Sequence, residues 1–218
     1  MERPPESTRE RLVAAAERLF AEKGLDAVSL REINRAAGAR NAIAVQYHFT
    51  DRAGIVRAVL DRHQPDIDAR RHAMLDEIEA AGSPGLRALA AALVRPAAAK
   101  LADPSGRDHL QIWAELVNRP RLRYDPGSED TGSSIERWRM LVGPLLDPEA
   151  TRLHRRFTAI RFSASELGRR ARSGPHTDDR LFVSHLVDLV TAILGASPSE
   201  ETVRLADERD LARRAAAG

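Results

Sequence analysis

Hydrophobic residues recur every three or four positions through most of the chain, which is the spacing of one face of an α-helix. Near the amino terminus Leu12 and Leu19 belong to such a face. The pattern predicts a first helix that begins at Ser7 or Thr8, both good capping residues, and ends at Gly24. Because no segment alternates between apolar and polar residues as a half-buried strand does, the chain is predicted to be all-α.

Two short helices are predicted next, with a tight turn between them at Gly38. Ser29 and Glu32 have the spacing of a capping box and mark the start of the first of these helices. Asn41 is the predicted cap of the second, which runs to about Tyr47. Two short helices joined by a glycine turn are typical of a helix-turn-helix, whose second helix can enter the major groove of DNA.

The rest of the chain is predicted to be a series of longer helices. Asp51 caps a fourth helix over 52–81, in which Pro65 predicts a kink or break near Arg62 to Gln64. Turn-forming residues separate the later segments. Further helices are predicted over 85–102, 106–118, 132–146, 149–172 and 178–195, a disordered arm over 1–6, a loop over about 119–133, and a polar tail or marginal helix over 197–218. The total is about nine to ten helices.

Composition narrows the possible functions of the chain. Of its 218 residues, 43% are hydrophobic, which is enough to bury a core. Because there is no cysteine, disulfides, thiolate catalysis and cysteine-ligated metals are excluded. The net charge of +2 is weak evidence for a nucleic-acid partner. The segment from 31 to 57 is more basic, with five arginines against Glu32 and Asp51, although a solvated helix face accounts for such charges as well.

Motifs for enzyme chemistry are missing from the sequence. It has no paired histidines at zinc-ligand spacing, no Gly-x-Ser-x-Gly elbow, no phosphate-binding glycine loop and no dinucleotide fingerprint. We therefore predict no catalytic activity, no metal and no cofactor. No apolar stretch approaches the roughly 18 residues of a membrane helix, and no signal-peptide core follows the amino terminus. We expect a cytoplasmic protein without a membrane partner.

Residues 8–60 resemble the amino-terminal domain of TetR-family transcriptional regulators. The residues that carry the resemblance are Arg11-Leu12, Leu19-Phe20, Gly24, Ser29, Ile33, Ala36-Ala37-Gly38, Tyr47-His48-Phe49 and Asp51-Arg52. The resemblance implies a homodimeric DNA-binding regulator, most often a repressor that an unknown small molecule releases from a palindromic operator. The alternative is a helical module that binds another protein without DNA, and an enzyme of unrecognised type is less favoured.

The resemblance also implies which residues contact operator DNA. They are Ser29, Arg31, Arg40, Asn41, Ile43, Ala44, Gln46, Tyr47, His48 and Arg52. The segment from Gly38 to Phe49 is one residue longer than is usual in the family. The register of the recognition helix is therefore open by one position, which is about 100° around a helix. Gln46 stands where the family commonly has a second tyrosine.

The remaining chain is predicted to form a ligand-binding and dimerisation bundle. The domains are 1–50 for DNA binding, 51–196 for the bundle and 197–218 for the tail. The candidate pocket residues are His109, Trp113, Leu116, Asn118, Trp138, Met140, Arg161 and Phe162. The candidate dimer-interface residues are Leu153, Phe157, Ile160, Leu167, Leu186, Val190 and Leu194. Both sets fit the interior of a single protomer as well, because an apolar stripe does not reveal what it packs against.

Overall fold

The computed structural model of the chain describes residues 7–39, 43–119 and 133–217. Within these ranges it contains twelve α-helices, two 3-10 helices and no strand. The all-α class predicted from the sequence is therefore confirmed. The predicted arm at 1–6 and most of the predicted loop at 119–133 lie outside the described residues.

The helices follow one another with short connections. The α-helices are α1 (Thr8–Lys23), α2 (Leu30–Ala36), α3 (Ala44–Phe49), α4 (Arg52–Asp61), α5 (Gln64–Ala80), α6 (Leu86–Ala98), α7 (Pro104–Val117), α8 (Ser134–Val142), α9 (Pro148–Arg152), α10 (Arg155–Arg172), α11 (Arg180–Gly195) and α12 (Glu200–Ala217). The 3-10 helices are Ala99–Ala102, after α6, and Gly143–Leu145, after α8.

The first two helices begin where the capping residues predict. The Ser7 hydroxyl accepts a hydrogen bond from the Glu10 amide at 3.2 Å, and the Glu10 carboxylate accepts one from the Ser7 amide at 2.8 Å. This is a complete capping box. At α2 the Ser29 hydroxyl accepts from the Glu32 amide at 3.2 Å, but the Glu32 carboxylate lies 2.5 Å from Lys23 Nζ. The predicted box at α2 is therefore half formed, because a lysine takes the carboxylate.

Two predicted helices are each divided in two by a local break. The helix predicted over 52–81 stops at Asp61, and α5 begins at Gln64 with Pro65 in its first turn. A proline is tolerated there because the first-turn amides have no helical acceptor. The helix predicted over 149–172 is interrupted at His154, which has a left-handed backbone with φ 55°. These two breaks account for the twelve helices where about ten were expected.

The carboxyl-terminal segment is a helix of 18 residues rather than a frayed tail. Arg152 of α9 fixes it to the bundle, with Nη1 2.7 Å from Asp207 and Nε 2.8 Å from Asp210. The hydrogen bond that Arg152 donates to Asp207 is the main reason that the pKa of the Arg152 guanidinium is raised. Because these groups lie at the surface, the pairing adds little stability and mainly sets the position of α12.

The buried side chains form two hydrophobic cores. The first contains residues of α1 to α4, among them Leu12, Phe20 and Ile55, together with Ile112 and Leu116 of α7. The second lies among α5 to α11. Because α4 contributes to the first core, the amino-terminal core extends past the boundary predicted at residue 50. Because α7 contributes to both cores, it connects them physically.

Among the described helices, no single one is long and apolar enough to cross a membrane. The pair α11 and α12 meets that length and composition requirement only jointly, and the two helices are bent by 59° at the break between them.

Candidate nucleic-acid interface and internal cavity

A buried asparagine fixes α3 against α2. Asn34 is 5% exposed, and its Oδ1 accepts a hydrogen bond from the Val45 amide at 3.1 Å. That amide lies in the first turn of α3, where helical amides have no acceptor in their own helix. Asn34 therefore caps α3 from the neighbouring helix. Asn34 is not among the residues predicted from the sequence, although it follows Leu30 by four positions, which places both on the inner side of α2.

The cap contributed by Asn34 can be tested by substitution. Asn34→Ala is expected to lower the free energy of unfolding by about 2 kcal/mol, because the buried Val45 amide loses its acceptor. Urea denaturation followed by circular dichroism measures the change. The exposed neighbour Arg35 gives the matched control, and Arg35→Ala is expected to stay within about 0.5 kcal/mol of the parent. Equal effects of the two substitutions would contradict the capping role.

The end of α3 is fixed by the backbone of the following turn. Thr50 has φ 63°, a left-handed conformation that is uncommon for a β-branched residue, and its amide donates to the Gln46 carbonyl at 3.0 Å. Gly54 of α4 lies so close to this turn that a Cβ on it would be 2.0 Å from the Phe49 carbonyl oxygen. Only glycine permits this approach, and α4 therefore supports α3 directly.

One side of α3 faces outward with large side chains. Tyr47 is 81% exposed and Ile43 is 57% exposed, and Gln46 and His48 are exposed as well. The rings of Tyr47 and His48 meet edge to face, with centroids 5.1 Å apart. These four residues were predicted as DNA contacts, and we name their surface the α3 face.

Other predicted DNA contacts are placed differently. Ala44 is 6% exposed and packs in the first core with Val45 and Phe49, so it contributes no surface to the α3 face. Ala44 therefore lies on the inner side of α3 with Val45 and Phe49, which corrects the prediction that it contacts DNA. Arg40 and Asn41 lie outside the described residues.

Residues of α2 and α4 complete this side of the molecule. Ser29 and Arg31 are exposed, as the prediction requires. Arg52 instead turns inward, where its Nη1 donates to the Val28 carbonyl at 2.5 Å and its guanidinium lies 5.5 Å from the centre of the Phe20 ring. Arg52 therefore links α4 to the segment before α2. In this conformation its guanidinium does not point outward, where the predicted contact with a phosphate would need it.

An internal cavity lies among α5, α6, α7, α8 and α10, with a volume of about 280 Å³. Its polar lining residues are Gln64, Arg71, His109, Arg139 and Ser163. Its larger apolar lining residues are Ile67, Leu93, Leu110, Trp113, Ile135, Phe157, Ile160 and Leu167. A mostly apolar wall with a few polar groups is typical of a small-molecule site.

Two of the eight predicted pocket residues, His109 and Trp113, line this cavity. The other six lie elsewhere in the described structure. Trp138 is fully buried in the second core, where its indole nitrogen donates to the Leu89 carbonyl at 2.8 Å. Leu116 packs in the first core. Trp138 and Leu116 both lie on apolar helix faces, but those faces pack against other helices and do not line the cavity.

The remaining four are at or near the surface. Asn118 and Arg161 are exposed and hydrogen-bonded to each other, with Arg161 Nη2 3.1 Å from Asn118 Oδ1. Met140 is 69% exposed, and Phe162 packs partly buried against the second core. Residue type alone selected these positions, since helical spacing gives no information on which helices enclose a space.

The predicted interface residues are mostly internal to one chain. Those with 8% exposure or less are Ile160, Leu167, Leu186, Val190 and Leu194. They pack in the second core, and so they offer no surface to a second copy. Leu153 is partly buried, and Phe157 is 46% exposed at the edge of the cavity. These five buried residues fit the alternative stated for the sequence, in which the apolar stripe packs inside its own protomer.

A buried polar cluster lies between the two cores. Glu17 of α1 is 2% exposed, and its carboxyl oxygens lie 2.6 Å from His63 Nε2 and 2.9 Å from Arg62 Nη1. Ser105 of α7 donates to the same carboxyl group at 2.6 Å. The His63 ring lies against the ring of His109, with centroids 4.6 Å apart. We name Glu17, Arg62, His63 and Ser105 the Glu17 cluster; it joins α1, the α4–α5 break and α7 beside the cavity.

Burial keeps His109 neutral. Loss of solvent, and secondly the neighbouring His63, lower the pKa of His109 to about 3. Its Nδ1 has no hydrogen-bond partner among the described residues. On α7 the adjacent Asp108 is partly buried, and burial together with Glu17 raises its pKa to about 6.

The shifted pKa of His109 predicts an acid-sensitive stability. A histidine whose pKa is lower in the folded chain contributes stability above its unfolded pKa of about 6.5 and loses it as the pH falls. The parent protein is expected to lose about 2 kcal/mol relative to His109→Leu when the pH drops from 8 to 5. The raised pKa of Asp108 has the opposite effect on stability. Because Asp108 is present in both proteins, its contribution largely cancels in the difference between the parent and His109→Leu.

Urea denaturation at several pH values measures this difference. His185→Leu, at an exposed position of α11, is the control and is expected to retain the pH dependence of the parent. A His109→Leu protein with the same pH dependence as the parent would show that His109 does not titrate below its normal range.

Residues 12–59 match the family model described as bacterial regulatory proteins, tetR family. No curated protein matches the chain.

Among the described residues, no group of three histidine, aspartate or glutamate side chains is arranged to hold a metal ion.

Two solved structures share the fold. One is AmtR of Mycobacterium smegmatis, with 21% identity and a TM-score of 0.53 over 95% of this chain and 96% of that one. The other is NalD of Pseudomonas aeruginosa, described as the secondary repressor of the MexAB-OprM multidrug efflux pump. It has 23% identity and a TM-score of 0.51, and the match covers 88% of this chain and 98% of that one.

Proposed function

We propose that the chain, which over residues 12–59 matches the family model described as bacterial regulatory proteins, tetR family, is a DNA-binding regulator of transcription. It acts as a homodimeric repressor that a small molecule releases from a palindromic operator. It acts in the cytoplasm, where its DNA is. The observation that carries the proposal is the α3 face, which presents Ile43, Gln46, Tyr47 and His48 outward on a helix fixed by Asn34.

The α3 face has the properties that a major-groove surface needs. Its side chains combine an amide, a phenol and an imidazole, which can hydrogen-bond to base edges or phosphates, with the apolar Ile43. Arg31 of α2, two positions after the Ser29 cap, adds an exposed positive charge. Phosphate contacts from such groups position a protein on the duplex, and base contacts give it sequence preference.

Dimerisation is proposed because two helix-turn-helix units must reach successive major grooves, about 34–36 Å apart. The five buried interface candidates are unavailable, so we assign the contact to the outer surface of α10 and α11. On α11 this surface includes Leu181, which is 83% exposed, and Leu189, which is 36% exposed. An isologous contact between two such surfaces gives the twofold symmetry that a palindromic site requires.

Release by a ligand is proposed from the position of the cavity. His109 lines it and lies against His63 of the Glu17 cluster, whose other members lie on α1, in the α4–α5 break and on α7. A ligand that binds one arrangement of these helices better than another shifts the population toward that arrangement. DNA affinity then falls by the difference in ligand affinity between the two states.

DNA binding is tested with a fluorescent duplex from the region upstream of the gene that encodes the chain. Anisotropy is expected to show binding that a shuffled duplex of equal length does not share, with affinity that falls steeply as salt increases. Absence of binding at every salt concentration would favour the protein-interaction module instead. In cells, deletion of the gene is expected to raise expression from the bound promoter, and a decrease would identify an activator.

A further inference from the structure

We propose that the internal cavity binds a small amphiphilic molecule with a carboxylate group, and that Arg71 is the counter-ion of that carboxylate. The inference names the ligand class of the cavity, and its effect on DNA rests on the proposed function. It depends on three observations, namely the unfilled hydrogen-bonding capacity of Arg71, the charges that line the cavity, and the size and apolar character of the remaining wall.

Arg71 lies on α5 and is 6% exposed. Its Nε donates to the Ala92 carbonyl at 3.2 Å, and its Nη1 donates to the Ser134 hydroxyl at 2.7 Å. The nearest carboxylate is Asp68, 3.6 Å from Nη1, and this carboxylate also accepts hydrogen bonds from Ser134 and from Gln64. The negative charge of Asp68 is therefore shared among several donors and is not paired closely with the Arg71 guanidinium.

The two hydrogen bonds that Arg71 donates to described residues come from Nε and Nη1, and its other terminal nitrogen, Nη2, donates none to them. Burial lowers the pKa of Arg71 to about 10, so the group still carries its charge at neutral pH. A buried cation with an unfilled donor is costly unless an acceptor completes it. A carboxylate in the cavity would do so, because its two oxygens match the fork of a guanidinium.

The charges that line the cavity all have the same sign. Arg71 and Arg139 are the charged side chains of its described wall, and no carboxylate lines it. Arg139 has a partner in Glu136, 3.1 Å from its Nη1, but Glu136 is not part of the wall. A cleft lined by cations in apolar surroundings concentrates anions and repels cations. The lining therefore selects an anion over a neutral or cationic molecule of the same shape.

The rest of the wall sets the size of the ligand and the nature of its body. Leu110, Trp113, Ile160 and Leu167 contribute an apolar surface that suits a hydrocarbon chain or ring. The cavity measures about 280 Å³. At about 30 Å³ per water-sized group in a liquid, this volume holds roughly ten non-hydrogen atoms. Octanoate has this size and the required carboxylate, and we choose it as the probe.

Isothermal titration calorimetry on the full chain without DNA tests the proposal. Octanoate, octan-1-ol and octylammonium have eight carbon atoms each and differ in the charge of the head group. Octanoate is expected to bind at least tenfold more tightly than octan-1-ol, and octylammonium is expected not to bind. Equal affinities for all three, or tighter binding of the alcohol or the amine, would overturn the proposal without any variant.

Two variants locate the carboxylate. Arg71→Met is expected to remove the tenfold preference while octan-1-ol binds within threefold of its parent affinity, and a preserved preference would overturn the role of Arg71. Arg70→Met is the matched control, because the Arg70 side chain is 54% exposed and lies outside the cavity wall. It is expected to retain the preference.

Circular dichroism shows whether Arg71→Met folds. Where it does not, Arg71→Lys keeps the positive charge but loses the fork, and octanoate affinity is expected to fall at least fivefold while octan-1-ol is unchanged. No change for either ligand would overturn the assignment. Ala164→Phe places a ring in the cavity wall and is expected to abolish binding of both, whereas unchanged binding would place the site elsewhere.

The failure of this inference and the failure of the proposed function give different results. Arg71-dependent binding of octanoate by a protein that binds no DNA would reject the proposed function alone. A protein that binds its operator but does not prefer octanoate would reject the ligand class alone. Where both hold, octanoate is expected to weaken operator binding at least fivefold in the parent and not in Arg71→Met. An equal effect on both proteins would contradict the link between this site and DNA release.

Discussion

Glu17→Ala is expected to lower the free energy of unfolding by about 3 kcal/mol, because several hydrogen-bonding groups lose their shared acceptor and each buried group left unpaired costs about 1–3 kcal/mol. The carboxyl group of Glu17 is bound by Arg62, His63 and Ser105, and Glu17 and His63 are almost completely buried. Its loss leaves the His63 ring and the Ser105 hydroxyl without their closest partner in a site that water does not reach easily. Such unpaired buried groups account for most of the expected cost.

Urea denaturation followed by circular dichroism measures this change. Glu22→Ala is the matched control, since Glu22 is an exposed glutamate on the same helix, and it is expected to stay within about 0.5 kcal/mol of the parent. Glu17→Gln keeps the shape and part of the hydrogen bonding and is expected to fall between the two. A loss of less than about 1 kcal/mol for Glu17→Ala would show that the cluster does not hold the two cores together.

Helix positions were accessible from the sequence because their signals are local. Ser7 and Asp51 cap the helices that they were predicted to cap, and Pro65 lies beside the predicted break. Each of these effects acts within one turn of backbone, so the neighbours in sequence determine the outcome. The glycine turn at Gly38, which has φ 62°, belongs to the same class.

The contacts that build the site were not accessible, because they join distant parts of the chain. Asn34 bonds a residue 11 positions away, Arg71 one 63 positions away, and Glu17 bonds Ser105 across 88 positions. Helical periodicity identifies an apolar face but not the helix that it meets. For this reason Leu186 was assigned to an interface although it belongs to the protomer core.

The largest expected effect on function follows from substitution on the α3 face. Tyr47→Ala is expected to weaken operator binding by about tenfold to a hundredfold, since a single direct contact to DNA contributes about 1–3 kcal/mol. With 81% of its surface exposed, Tyr47 makes few contacts that the folded chain would lose. The free energy of unfolding is therefore expected to change by no more than about 0.5 kcal/mol, so weaker binding is not an effect of unfolding.

Tyr47→Phe distinguishes the contribution of the hydroxyl from that of the ring, because it removes the hydroxyl and keeps the ring. If the hydroxyl donates to a phosphate, this variant is expected to lose most of the affinity that Tyr47→Ala loses, equally for operator and shuffled DNA, because phosphates carry no sequence information. If the ring packs on the duplex, Tyr47→Phe is expected to bind like the parent. Met140→Ala is the control, since Met140 is 69% exposed but lies on α8. Equal anisotropy curves for Tyr47→Ala, Met140→Ala and the parent would mean that DNA does not cover the α3 face, because a large exposed side chain at a protein–DNA contact cannot be removed without a loss of affinity.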